Sequence, residues 1–384
     1  MDGEKQERVL VAMSGGVDSS VAALLLRDAG YDAMGVTMKL FDNEVAGAGG
    51  ACVVGESTCC SQSDVEDARQ VAFGLGLEHF TFNFTGTFGC EVIDRFCDAY
   101  LHGRTPNPCI DCNRYLKFAA LQRRRAQLGF DYVATGHYAR RAFNERTGRF
   151  ELRRGLDEAK DQSYVLYHLT QDDLAHMLFP LGELTKPQVR ELAEKHSFGN
   201  AHKAESQDIC FVPDGDYASF IARYMGFGGD AARGDGKERA VPAAFEPGDI
   251  VDVGGKVLGR HTGLVHYTIG QRKGIGVAAP EPLYVVGKDA GKNVLVVGPR
   301  SELGVREVCA GDVNLISVAE LDKPMRVTAK THYRQREQAA EAVMEGDQLV
   351  VRFDEAVARP AAGQSLVLYD GDAVVGGGTI EVSE

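Results

Sequence analysis

The sequence predicts an α/β protein: an N-terminal doubly wound parallel sheet, then a small central β-rich domain, then a C-terminal β-barrel. Three observations carry this. Up to about residue 212, short apolar runs alternate with helix-length segments, the pattern of βαβ units covered by helices on both faces. Beyond that point short β runs recur between Gly and Asp-Gly turns with no helical period, as in small β modules or barrels. The length of 384 residues allows two or three domains at roughly 100–200 residues each. Boundaries near Pro213 and Pro280 divide the chain into 1–213, 214–281 and 282–384.

Each element has its own signal. VLVA (9–12) is a buried strand leading into Met13-Ser14-Gly15-Gly16-Val17-Asp18-Ser19-Ser20 and the helix VAALLLRDAG, which Gly30 closes. Ala33 to Leu40 is a second strand. The Gly/Ala-rich stretch NEVAGAGGACVVGESTCCSQ reads as a long loop. Ser63-Asp64-Val65-Glu66 predicts a capping box opening a helix. Phe80 to Phe84 is a strand, Thr87 to Leu101 and Asn113 to Leu128 are helices, and Tyr132 to Thr135 is a strand. PDGDYASFIARYMGFGGDAARGDGK reads as a linker. The runs DIVDV, LVHYTI, PLYVVGK, NVLVVG, MRVTAKTHY, LVVRF, QSLVLYD and AVVGGGTI follow as strands.

Composition excludes several classes. Apolar residues at 44% and charged residues at 25% argue against disorder. No apolar stretch approaches the roughly 18 residues of a membrane helix. The mixed-charge start MDGEKQERVLVAMSGG is not a signal peptide, and nine cysteines without one point to the reducing cytoplasm. The net charge of -13 speaks against indiscriminate coating of nucleic acid. Its distribution is uneven: residues 114–154 hold eleven Arg and Lys against three Asp and Glu, a net of +8 where an RNA backbone could lie.

The loop SGGVDSS between a strand and a helix is the strongest single motif. Gly15 and Gly16 allow a tight turn whose N–H groups converge at a helix N-terminus, an anion site. Ser14 and Ser19 add hydroxyls, and Asp18 is placed to hold Mg²⁺ or to position a nucleotide. No Walker Lys follows, which disfavours γ-phosphate chemistry. The second motif is Asn107-Pro108-Cys109-Ile110-Asp111-Cys112-Asn113, whose prolines place Cys112 at or beside a helix start, where a thiol gains thiolate character. A third cysteine, Cys210, follows in ESQDICFV. A structural zinc site needs four ligands, and Cys59-Cys60 does not supply a matching pair. Cys52, Cys90, Cys97 and Cys309 read as ordinary apolar residues.

SGGVDSS resembles the PP-loop of ATP pyrophosphatases. Together with GVTMK, GRTPNPCIDCN, ATGHYAR, KDQSYVLYHL, LGELTKPQVRELA, ESQDICFV, GQRKGIGV and GGGTIE, taken in order along nearly the whole chain, it is similar to the tRNA 2-thiouridylase family. The resemblance implies a PP-loop fold of the adenine nucleotide alpha hydrolase type and an ATP-dependent 2-thiolation of the wobble uridine of tRNA. Ala12, Met13, Ser14, Gly15, Gly16, Val17, Asp18, Ser19, Met38 and Gly136 would hold ATP, with Mg²⁺. Cys210 would carry the persulfide and Cys112 would act as the nucleophile that activates or releases its sulfur, leaving a Cys112–Cys210 disulfide. Asn107, Pro108, Cys109, His137, Lys160, Asp161, Gln162, His332, Tyr333 and Gln364 would contact tRNA. The partners implied are the Lys, Glu and Gln isoacceptors and a sulfur donor such as a cysteine desulfurase or sulfur-relay protein.

Two positions depart from the family pattern. Cys109 stands where many members carry Asp, and His332 replaces an expected basic residue. Cys109, Cys112 and Cys210 therefore also suit a 4Fe–4S cluster with one open iron, an alternative to the persulfide.

Overall fold

The computed structural model describes residues 6–40, 62–203, 209–227 and 240–381. Cys52, Cys59, Cys60, most of the Gly/Ala-rich stretch and residues 204–208 beside Cys210 lie outside them. The first sheet has the order β3-β2-β1-β4-β7, built from β1 (Arg8–Ala12), β2 (Asp32–Lys39), β3 (His79–Asn83), β4 (Tyr132–Thr135) and β7 (Met177–Leu178). All its pairings are parallel. Val9, Leu10 and Val11 are wholly enclosed, as expected for a strand covered on both faces. The chain runs outward from β1 to β3, then crosses to β4 on the other side of β1. The crevice between the carboxyl ends of β1 and β4 is thus the switch point, where open α/β sheets bind ligands.

The helices differ from expectation in instructive ways. The helix Gln62–Gly74 already includes Ser63, so Ser63 is not its cap. The predicted helix from Asn113 begins earlier: Asn107 caps it by accepting the Cys109 N–H at 3.1 Å, and Pro108 occupies the first helical position. It continues through a π-helical stretch, Cys112–Ala120, into Leu121–Leu128, where Gly129 stops it with φ 69°. The stretch read as a linker contains a helix, Tyr217–Met225. Asp216 caps it through the Ser219 N–H at 3.0 Å, and Gly226 ends it in the left-handed region.

A hairpin absent from the sequence reading, β5 (Ala139–Asn144) and β6 (Arg149–Arg154), leaves the first sheet and joins the C-terminal one. That sheet is a closed six-stranded barrel in which β12 (Gly304–Leu315) pairs with both β15 (Gln348–Ala358) and β17 (Ala373–Ile380). β14 (Gln338–Glu345), β13 (Met325–Lys330) and β16 (Ser365–Asp370) complete the circuit. The middle sheet, of order β10-β11-β8-β9, comprises β8 (Gly248–Asp252), β9 (Val257–His261), β10 (Tyr284–Asp289) and β11 (Val294–Gly298). LVHYTI is not a strand. Gly263 (φ 133°) and Gly270 (φ 84°) bracket it, and Leu264–His266 form a 3-10 turn. No helix among the described residues is long and apolar enough to cross a membrane.

Candidate active site

The nucleotide loop sits at the switch point, and its shape depends on close backbone approach. Gly15 has φ 72°, and a Cβ there would lie 2.3 Å from the Asp64 carbonyl oxygen. Gly136, just after β4, comes so near α1 (Val17–Asp28) that a Cβ would stand 2.8 Å from the Ser19 nitrogen. Inside the loop the Ser14 N–H donates to Ser19 Oγ at 3.1 Å, and the Ser19 and Ser20 hydroxyls donate to the Gly16 carbonyl at 3.0 Å each. Met38 is buried near the end of β2.

Three residues not anticipated from the sequence brace this loop. Asn200 donates through Nδ2 to the Gly15 carbonyl and to Ser20 Oγ, both at 2.9 Å. Lys203 reaches buried Asp64 and Asp67 at 2.6 Å each. Burial pulls the Lys203 pKa down, but its hydrogen bonds and ion pairs with the two carboxylates more than offset this, and the net direction is up. Lys186, 7% exposed, places Nζ 2.7 and 2.8 Å from the two oxygens of Asp18, and the Tyr138 hydroxyl donates to the first of them at 2.8 Å. The Asp18 carboxylate is thereby neutralised by protein. Its side chain is 32% exposed and remains reachable from the crevice.

The cysteines are placed by helix geometry and aromatic packing. Cys109 lies in the first helical turn and is exposed, whereas Cys112 opens the π-helical stretch one turn later. The first free amides of this helix are taken by Asn107, which accepts the Cys109 N–H on its side chain and the Ile110 N–H on its carbonyl at 3.0 Å. A π-helical turn is a recurring feature of functional sites because it widens the helix and redirects side chains. Cys210 is held by its neighbour Phe211, whose ring meets Phe96 at 5.3 Å, Phe88 at 5.7 Å and Phe220 of Tyr217–Met225 at 5.2 Å. Ala12, Met38, Cys112 and Cys210 all belong to, or pack against, one apolar core. Among the described residues no three His, Cys, Asp or Glu side chains form a group that could hold a metal ion. Cys109, Cys112 and Cys210 as placed do not fit an iron–sulfur cradle.

Asp111 separates the two cysteines of the motif. Burial pushes its carboxyl up to about 6, against the pull of Arg95 and Arg114. Arg114 forms a two-pronged pair with Asp312 of the barrel, and the pair borders a cleft of about 260 Å³ that also touches Tyr115 and His168. A carboxyl whose folded pKa is raised contributes most stability below its unfolded pKa and loses it as pH rises through 6. Asp111→Asn is therefore expected to raise the melting temperature at pH 8 by several degrees, on the scale of about 3 kcal/mol for two pKa units. The gain should vanish below pH 4. Melting curves across pH 4–8 check this.

The residues expected at the tRNA face divide into two groups. His137 is enclosed, with Nδ1 2.8 Å from Thr135 Oγ1 and its ring 6.1 Å from that of Phe118; burial, then Lys117, keeps it neutral. Asp161 accepts from the N–H groups of Gly155 and Ser163 at 3.1 Å and the Ser163 hydroxyl at 2.8 Å, and Gln162 accepts the Tyr138 N–H at 3.0 Å. Gln364 donates to the Thr105 carbonyl at 2.7 Å, and the Thr105 N–H donates to Ala362 at 2.8 Å, fastening the barrel to the approach of the cysteine motif. These four are braces in this state. Asn107 and Pro108 form the helix start, while Cys109, Lys160, His332 and Tyr333 reach the surface in part or in full. Burial, then Arg334, lowers the pKa of His332.

Fold and loop together define a HUP-domain protein with a PP-loop at its switch point. Residues 7–214 match the tRNA methyl transferase HUP domain family, 239–299 the tRNA methyl transferase PRC-barrel domain and 305–380 the aminomethyltransferase beta-barrel domain. The chain is 47% identical over 379 residues to tRNA-specific 2-thiouridylase MnmA 1 of Thermoanaerobacter sp. (strain X514), covering 98% of this chain and 99% of that one. It is 44% identical over 378 residues to tRNA-specific 2-thiouridylase MnmA of Clostridioides difficile (strain 630), with the same coverage. The chain belongs to the tRNA-specific 2-thiouridylase (MnmA) family. Among solved structures it is similar to the U34-tRNA thiolase NcsA from Methanococcus maripaludis, at 18% identity and a TM-score of 0.34, covering 55% of this chain and 65% of that one.

Proposed function

We propose that this protein thiolates the wobble uridine of tRNA at C2 in two chemical steps, using ATP and a protein-borne persulfide. The observation that carries the reading is the shared core: the strand feeding the nucleotide loop, Met38, Cys112 and Cys210 rest on one set of apolar side chains. On this reading activation and sulfur delivery act on one bound base.

In the first step the uracil O2 attacks the α-phosphorus, pyrophosphate leaves, and the base carries AMP. This converts an amide-like oxygen into a good leaving group. The loop amides around Gly15 and Gly16 would stabilise the developing phosphate charge. In the second step the terminal sulfur of a Cys210 persulfide attacks C2 and AMP departs with the former O2. The Cys112 thiolate then attacks Cys210 Sγ, breaking the S–S bond to the base. 2-Thiouridine and a Cys112–Cys210 disulfide result, and a dithiol reductant restores the two thiols. The Asn107-capped helix sets Cys112, and the Phe211 anchor sets Cys210. The isoacceptors for Lys, Glu and Gln, a cysteine desulfurase or sulfur-relay donor, and a cytoplasmic setting belong to this same reading.

Incubation of the protein with ATP, Mg²⁺, a sulfur donor and bulk tRNA, followed by mass spectrometry of the nucleosides, tests it. 2-Thiouridine that requires ATP is the expected product. A methylated base, or no thiolated base, overturns the reading.

A further inference from the structure

Asp18 lies in the first turn of α1, within the phosphate loop, and its holders come from far along the chain. Lys186 engages both carboxylate oxygens and Tyr138 engages one. Lys186 is 7% exposed and Tyr138 3%, while the Asp18 side chain keeps 32%, so the arrangement is a partly buried charge pair with an added hydrogen bond. Such a pair is strongly resistant to losing one partner, because the other charge is then left uncompensated.

Both holders are set by one short turn, residues 155–163. At its start, Asp157 Oδ2 accepts the Lys186 backbone N–H at 2.9 Å. At its end, Gln162 accepts the Tyr138 N–H through Oε1 at 3.0 Å and donates its own N–H to the Tyr138 carbonyl at 2.9 Å. Gly155 leaves no slack: a Cβ there would stand 2.8 Å from the Tyr138 oxygen. Asp161 closes the turn upon itself, and on the outer side the Tyr333 hydroxyl donates to the Asp161 carbonyl at 3.4 Å. Lys160 stands half-buried on this same turn.

We propose that Tyr138 and Lys186 are positioning residues for Asp18, and that the turn 155–163 couples RNA seated at Lys160–Gln162 to the geometry of the nucleotide loop. This rests on the function proposed above. RNA that shifts Gln162 moves the Tyr138 backbone on two hydrogen bonds, and the Asp18 carboxylate follows its donors. ATP is then bound weakly by the free protein and more tightly when the correct RNA occupies the turn.

The test measures the Kd of a non-hydrolysable ATP analogue with and without bulk tRNA, for wild type, Tyr138→Phe and Gln162→Met. Tyr138→Phe keeps the ring in its apolar bed and removes only the hydroxyl. Gln162→Met acts one residue further from the loop. In both, the tightening of the analogue by tRNA is expected to fall at least about fivefold, with little change in melting temperature. Lys186→Arg is expected to retain more of the tightening than Lys186→Met, which a merely structural lysine would not require. Should Gln162→Met fail to fold, Asp157→Asn probes the turn from its other end. Tightening equal to wild type in folded Tyr138→Phe and in the turn variant overturns the proposal. A wild-type Kd that tRNA does not change, with thiouridine still formed, overturns it while sparing the functional reading. Absence of any ATP turnover with tRNA overturns both.

Discussion

Cys210→Ser is expected to abolish 2-thiouridine formation, by on the order of 10³-fold or more, while pyrophosphate release from ATP in the presence of tRNA persists. The serine hydroxyl cannot carry a persulfide sulfur, so the second step has no nucleophile. The first step needs only the loop, which lies on α1 and β1 and not on the Cys210 segment. The packing that places residue 210 should also survive, since Phe211 and not Cys210 makes the ring contacts with Phe88, Phe96 and Phe220. Labelling from ATP carrying a radioactive α-phosphate would show AMP accumulating on tRNA in this variant. Simultaneous loss of adenylation and thiolation, in a protein that melts normally, would contradict the division of roles.

Gly15→Ala is expected to remove ATP-dependent activity and to destabilise the first domain. At φ 72° a Cβ costs about 1–2 kcal/mol in backbone strain. Its position 2.3 Å from the Asp64 carbonyl oxygen forces backbone to move, at about 1–3 kcal/mol more. For a domain of this size that corresponds to a fall in melting temperature on the order of 5–15 °C. Gly16→Ala supplies the contrast. Gly16 has φ -88°, and its added Cβ would meet only Ser14 Oγ at 3.5 Å, an ordinary contact. Its melting temperature should therefore stay near wild type, while KM for ATP rises if phosphates approach that backbone closely. Equal stability of the two variants would contradict the reading of Gly15 as a close-approach position.

The parallel sheet, the phosphate loop and the barrel were legible because their signals are local. VLVA followed by SGGVDSS and an Ala/Leu-rich helix is readable within some twenty residues, whereas the strand order that sets the switch point comes from the fold. The braces were not legible. Lys186 meets Asp18 across 168 positions, and Lys203 meets Asp64 across 139, so neither pairing has a sequence signature. Cys112 lies deeper in its helix than the sequence suggests for a different reason. Asn107 as cap and Pro108 as first helical residue are ordinary start signals, and they place the helix start five residues earlier. The helix Tyr217–Met225 hid among Asp and Gly for the same reason in reverse, its cap Asp216 and stop Gly226 being counted as linker composition. The hairpin Ala139–Arg154 carries eight charged residues and exposes Phe143, which masks its alternation until the barrel edge is in place to receive it.

The residues expected at the RNA face show how far a resemblance reaches. In the turn 160–162, Asp161 and Gln162 engage their side chains with Gly155, Ser163 and Tyr138, pairings that have no sequence signature. A contact that also braces the nucleotide loop differs from a contact that only grips RNA, since its mutation should alter coupling as well as affinity.

The roles proposed for Cys210 as sulfur carrier and Cys112 as resolving thiol, without a metal cluster, are tested by a single turnover under anaerobic, iron-free conditions with protein preloaded with persulfide, followed by peptide mass spectrometry without reductant. The expected result is a Cys112–Cys210 disulfide peptide formed in step with 2-thiouridine, one for one. Thiouridine that appears only after reconstitution with iron and sulfide, and without that cross-linked peptide, would contradict it.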